Sequence, residues 1–198
     1  MSAELAAEEV RVAITGAFYS APRGEAEAPA SASSSLDPNF IGHGYLNEDG
    51  ATENWDDSVD NIIAWQGATT VRAVRTESTA TLELTLIQTR GSTLELFHPG
   101  SRIEEIDGPG PGSGWKMHVK PPTSDPRAFV LDVVDGSDLI RIYVGNGELT
   151  ERDEVPYANS GDPVQYPMTL TCYPDENGDL MVKYSNSDAW GEGLLETS

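Results

Sequence analysis

The strongest constraint on this chain is alternation. From 164 to 172, Val164, Tyr166, Met168, Leu170 and Cys172 occupy one parity, while Gln165, Pro167, Thr169 and Thr171 occupy the other. From 79 to 86, Ala80, Leu82, Leu84 and Leu86 alternate in the same way with Thr79, Thr81, Glu83 and Thr85. Only an extended strand sends every second side chain to one side. Each segment therefore predicts a strand with one apolar face and one threonine-rich polar face, the second within a longer extended run over 71–88. Pro167 has no N–H to give to a ladder, which predicts an edge strand or a bulge at 164–172. Free backbone groups on an edge invite another chain, so Tyr166, Pro167 and Thr169 are candidate inter-subunit residues.

Segments 115–119, 127–135, 138–144 and 180–184 read as further strands. A Gly-Ser pair at 136–137 separates two of them, and Asn177-Gly178 is a hairpin signal. Between the strands, Ser92 or Thr93 can cap a short helix near 92–98, with Leu94, Leu96 and Phe97 on its apolar side and Pro99-Gly100 to stop it. The glycine- and proline-rich run 107–114 predicts a loop.

The rest of the chain lacks periodicity. Residues 1–38 read as an N-terminal arm followed by a low-complexity Ala/Ser/Pro/Gly segment. Residues 39–68 read as a long loop holding Trp55, Ile63 and Trp65 among acids and no Lys or Arg. Large apolar side chains in such a loop pack either on their own domain or on a neighbouring copy, so these three are candidate inter-subunit contacts. The β domain is expected over 69–184, with 185–198 as a C-terminal arm.

Charge narrows function. The chain has 33 Asp and Glu against 12 Lys and Arg, a formal net charge of -21. That argues against gripping nucleic acid through its phosphates. The lone Cys172 excludes an internal disulfide framework, and His43, His98 and His118 stand in unrelated contexts without metal-ligand spacing. No apolar run approaches the ~20 residues that span a bilayer, and the acidic start does not resemble a signal peptide. No nucleophile elbow or phosphate loop is present, and no cofactor is expected. Asp175, Asn177 and Asp179 only faintly resemble a calcium loop and fit a turn better. What remains are features of assembly.

The order of segments carries a resemblance. GAFYSAP, a spacer ending in LDPNF, GYLNEDGATENWD, IIAWQG, TATLELTLIQT, LFHPG and, near the C-terminus, YPMTLTCYPD occur in this order. Together they resemble the major tail proteins of long-tailed bacteriophages infecting actinobacteria, over roughly residues 13–184. The resemblance implies a β-sandwich or barrel-like tail tube fold with a flanking helix. It implies a virion protein, made in the host cytoplasm, that forms rings, usually hexameric. These rings stack into a hollow tube for genome passage. Its partners would be further copies, the tape measure and tail-end proteins, with DNA passing unbound and no membrane involved. In such a tube, acids on polar strand faces, Glu77 and Glu83 among them, would line the bore and repel phosphates. The competing readings are another virion component, such as a terminator or decoration protein, a carbohydrate-binding β-sandwich using Trp55, Trp65, Trp115 and Trp190, and a hydrolase with an unmarked carboxylate pair.

Overall fold

The computed structural model describes residues 9–106, 114–159 and 161–191. Residues 1–8 of the expected arm, most of the expected 107–114 loop, and the chain beyond 191 with Leu194 and Leu195 lie outside these. The strands are β1 (Thr15–Pro22), β2 (Ile41–Gly42), β3 (Leu46–Ile63), β4 (Thr70–Leu86), β5 (Arg102–Ile106), β6 (Gly114–His118), β7 (Arg127–Asp135), β8 (Asp138–Arg152), β9 (Tyr166–Cys172) and β10 (Val182–Ser185). Among the described residues there is one α-helix, α1 (Gly91–Phe97), between β4 and β5. The molecule is mainly β with one short helix, as the alternation predicts.

All pairing is antiparallel. The large sheet runs β2-β1-β7-β8-β9-β4-β3, with β10 added on β8, and β5 and β6 form a separate hairpin. One face of the large sheet makes the main core. Leu82, Leu84 and Leu86 of β4 face Leu170, Met168 and Tyr166 of β9 in register, beside Phe18, Phe129 and Val144. Leu96 and Phe97 of α1 close this face. Phe97 meets Tyr166 edge to face at 5.4 Å. Cys172 is buried there, and burial pushes its thiol up to about 12. At Gly147 a Cβ would come within 2.8 Å of the Phe129 ring, so only glycine admits this contact.

Several expectations are corrected. The low-complexity segment is ordered: Ala26, Leu36 and Phe40 cover the opposite face of the sheet at Ala21, Ala128 and Val130, where they form a second core. Arg141 fastens it. Its guanidinium bonds both carboxylate oxygens of Asp132, at 2.6 and 2.9 Å, and donates to the carbonyls of Ser31 and Ser34. Charge-assisted bidentate bonds of this kind are the strong ones. The β domain therefore begins at β1, well before residue 69.

The long loop at 39–68 is instead largely β3, which pairs with β4 through to a turn at 65–68. Next, β9 is not an edge strand, since it pairs with β8 on one side and β4 on the other. Pro167 is tolerated because it is the second residue of the strand. Its carbonyl accepts from Asp153 N, just past the last β8–β9 pair, Arg152↔Met168, so its missing N–H faces the end of the β8 ladder and leaves the β4–β9 pairing whole. Finally, Asn177-Gly178 does not join a β9–β10 hairpin, because β10 pairs with β8. The turn is closed by Asp175, whose carboxylate accepts from the Asn177 and Asp179 amides.

The helix start is also not capped by Ser92 or Thr93. Thr93 is buried and donates to the His43 carbonyl. His43 itself is enclosed, with Nε2 2.8 Å from Ser20 Oγ and its ring against Phe18. Burial, with Arg127 and Arg90 nearby, lowers its pKa to about 4. The unfolded chain then binds a proton that the folded chain refuses, between its ordinary value near 6.5 and about 4. Stability from this group is present above pH 6.5 and is lost as pH falls toward 4, by at most ~3 kcal/mol. Urea melts at pH 7, 5 and 4 should show a smaller acid loss for His43→Gln than for the unaltered chain. Arg141→Ala should cost about 3–5 kcal/mol, as removal of one partner from a buried pair does. It should also open segment 23–38 to limited proteolysis.

Candidate functional site

Three surfaces could act outside the core. The first is the uncovered half of the sheet face opposite α1. Glu77, Thr79, Thr81 and Glu83 share one side of β4, with no register shift between Ser58↔Glu77 and Thr52↔Glu83. Thr169 and Thr171 continue it on β9, and Glu148 and Glu151 on β8. Hydroxyls cross-link the strands: Thr150 Oγ1 lies 2.8 Å from Thr171 Oγ1, and Asn54 Nδ2 donates to Glu83 Oε1 at 2.8 Å. A shallow depression of about 320 Å³ lies among these residues. The structure thus brings Glu77 and Glu83 onto one exposed face whose chemistry is hydroxyl and carboxylate. That surface is hydrophilic and repels anions.

The second surface is the outer part of the β3–β4 ribbon. Beyond Trp55↔Ala80 neither face of the ribbon is buried, and Val59, Ile62, Ile63 and Val71 are exposed. Trp65, at the turn, is 96% exposed. The next turn residues, Gly67 and Ala68, have φ of 80° and 48°. Trp55, Ile63 and Trp65 therefore lie on one ribbon, but they are not equivalent. Trp55 is half-exposed at the base, its indole N–H donating to Glu53, which also pairs with Lys183. Ile63 and Trp65 are at the far end.

The third surface is the pair of sheet ends. Among the described residues, β3 terminates the sheet along its whole length, and β1 is covered by β2 only at Tyr19 and Ser20. The expected edge residues Tyr166, Pro167 and Thr169 are not there. Tyr166 is a core residue whose hydroxyl lies 3.0 Å from Thr89 Oγ1. Sequence reasoning missed β1 and β3 as edges because neither alternates: β1 is flanked by apolar cover on both faces, and outer β3 has none.

On the small hairpin, Glu104 is held by Lys116, His118 and Arg102, which lower its carboxyl to about 2. Among the described residues no group of His, Cys, Asp and Glu is arranged to hold a metal ion.

A family model described as phage tail tube protein matches residues 3–192. Comparison with curated proteins gives no match. Among solved structures, the sheath/tube terminator of an extracellular contractile injection system (PVC) in its extended state aligns with a TM-score of 0.44 at 13% identity, over 92% of this chain and 99% of that one. The sheath-tube complex of the PVC system aligns with a TM-score of 0.44 at 12% identity, over 85% and 88%.

The exposure pattern gives a direct test. Trp65→Ser should leave the stability of the isolated chain within about 0.5 kcal/mol, as surface changes do. Tyr166→Ala should cost about 3 kcal/mol or more, as truncation of a buried aromatic does. Equal effects in denaturant titrations would contradict the placement of both residues.

Proposed function

Because the chain belongs to the phage tail tube protein family, we propose that it polymerises as stacked rings, six copies to a ring, into the tube through which the phage genome leaves. The family match over residues 3–192 is the observation that carries this reading. It makes the chain a structural component of the virion tail. The resemblance of its segment order to tail proteins of actinobacterial phages supports a host in that group.

The geometry supports the finer steps. A sheet with two unfinished ends can join β3 of one copy to β1 of the next. A head-to-tail contact of that kind closes into a ring where the rotation permits. The Thr/Glu face then serves as the bore. Duplex DNA carries one negative charge per ~1.7 Å of axis, and Lys or Arg on the wall would hold it at many points. Glu77 and Glu83, set among threonines, repel the phosphates while the hydroxyls keep the wall wet. Trp55 at the base of the ribbon and Ile63 and Trp65 near its end supply contacts to neighbouring copies. The tape measure and tail-end proteins are the further partners.

At -21 per chain, copies repel one another in dilute salt. Screening shortens that repulsion to ~8 Å at physiological ionic strength. Negative-stain microscopy at low and high salt should show hollow tubes or stacked rings, favoured by salt. Dispersed chains at every salt and concentration, or assembly that weakens with salt, would count against it. In assembled tubes, Glu83→Cys should react with a small maleimide but not with one carried on a large polymer, and in dispersed chains with both. Labelling by the large reagent after assembly would place Glu83 outside the bore.

A further inference from the structure

We propose that the Trp65 end of the β3–β4 ribbon docks head-to-tail into the groove between α1 and the β5–β6 hairpin of a second copy of this chain. The proposal rests on the tube reading and specifies one contact that holds copies together.

The groove is about 550 Å³ and has apolar walls from Ile41, Leu94, Ile103 and Trp115, with Arg90 and Glu95 at its polar positions. Trp115 is 71% exposed and Ile41 52%. An apolar hollow of this kind, left open on a soluble chain, marks an interaction site.

Charge selects the occupant. Between Arg90 and Lys120 the chain has four basic and four acidic residues, so the whole excess of -21 lies elsewhere. The ribbon end is likewise free of acids: from Asn61 to Ala73 the only charged residue is Arg72. An apolar surface without acids and a groove of balanced charge can approach without the repulsion that the rest of the molecule imposes. Arg72 on the ribbon and Glu95 in the groove supply one complementary pair.

Direction selects the mode. The ribbon turn lies at one end of β4, before Thr70. The groove lies at the other, since Arg90 and α1 follow Leu86 within a few residues and Ile41 precedes the start of β3. Seventeen residues of strand separate the two, ~55 Å at about 3.3 Å per residue. Donor and acceptor surfaces at opposite ends of one element make a heterologous contact, which passes from copy to copy along that element's direction instead of pairing two copies off. Trp65 is the anchor, an aromatic side chain that is free in the single copy and fills a pocket in the next.

The test places one cysteine on each side, Gln66→Cys and Ser92→Cys, and adds a short bis-maleimide. Cys172 is buried and stays unreactive. The double variant should give a ladder of dimers, trimers and longer species on denaturing gels. A mixture of the two single variants should stop at dimers. Trp65→Ser should raise the concentration needed for assembly about tenfold or more, as loss of an aromatic anchor does. Arg72→Glu and Glu95→Arg should each impair assembly, and together restore it. Tubes without a ladder, or Trp65→Ser assembling like the unaltered chain, would overturn the docking and leave the tube reading intact. A ladder from chains that form neither rings nor tubes would keep the docking and overturn the tube reading. Neither ladder nor tubes would overturn both.

Discussion

Backbone pairing along β8 organises this molecule. Its fifteen residues hold β7 on one side and, on the other, first β10 and then β9. Hydrogen bonds left unmade in a buried ladder cost far more than made ones gain, so a strand this central determines what its neighbours must be. β9 brings β4 with it, and β4 carries the leucine face that α1 covers. β7 brings β1, whose far side receives the Arg141-fastened segment. The apolar face and the acidic face of the sheet are therefore consequences of one set of pairings. Moving β9 by one residue would turn Tyr166, Met168, Leu170 and Cys172 outward and Thr169 and Thr171 into the core.

Acid is distributed unevenly, and the unevenness matters more than the total. Where basic residues are buried they have structural partners, as Arg141 with Asp132 and Arg127 with Asp125. The Glu104 cluster sits on the small hairpin. The exposed half of the sheet face has hydroxyls and carboxylates, which suits a wall that must not hold an anion. The ribbon end and the α1 groove lack that acidic excess, which suits surfaces that must meet others like themselves. A uniformly acidic surface would be soluble and solitary.

Much of this was legible from single residues. The alternation over β4 and β9 specified which side chains are buried, and the parity of Glu77 and Glu83 placed them on a common face. They share that face because the irregularity in the ribbon falls between Ser58 and Val59, outside the stretch linking them. Other parts were illegible for physical reasons. Period two appears only where one face is buried and the other wet. β1 has cover on both faces around Phe18, Tyr19 and Ala21, and outer β3 has cover on neither, so both lost the signal. Pro167 misled because a proline is forbidden by the donor it lacks and not by the strand it occupies. Low complexity from Ser20 to Pro38 suggested an unpinned arm, since the residue that pins it, Arg141, is more than a hundred positions away. The groove was hidden for the same reason, its walls coming from four separate elements.

The ribbon unites the stability and the assembly of this chain. A two-stranded hairpin standing free in water is marginal, because it buries too little apolar surface to offset the ordering of its backbone. Here the sheet supports its base as far as Trp55, but among the described residues nothing covers Ile62, Ile63 and Trp65. In the docking proposed above, the missing burial comes from a second copy. A contact that both orders the ribbon and buries its end binds less tightly than its area implies, since part of the gain is consumed by ordering. Single encounters between dispersed copies would then be short-lived, while a growing end that already holds the ribbon of its last ring in place would not bear that cost again. Under that proposal, elongation would be favoured over initiation by the same marginal stability that leaves the tip uncovered, which suits a polymer that must start in one place and not throughout the cell.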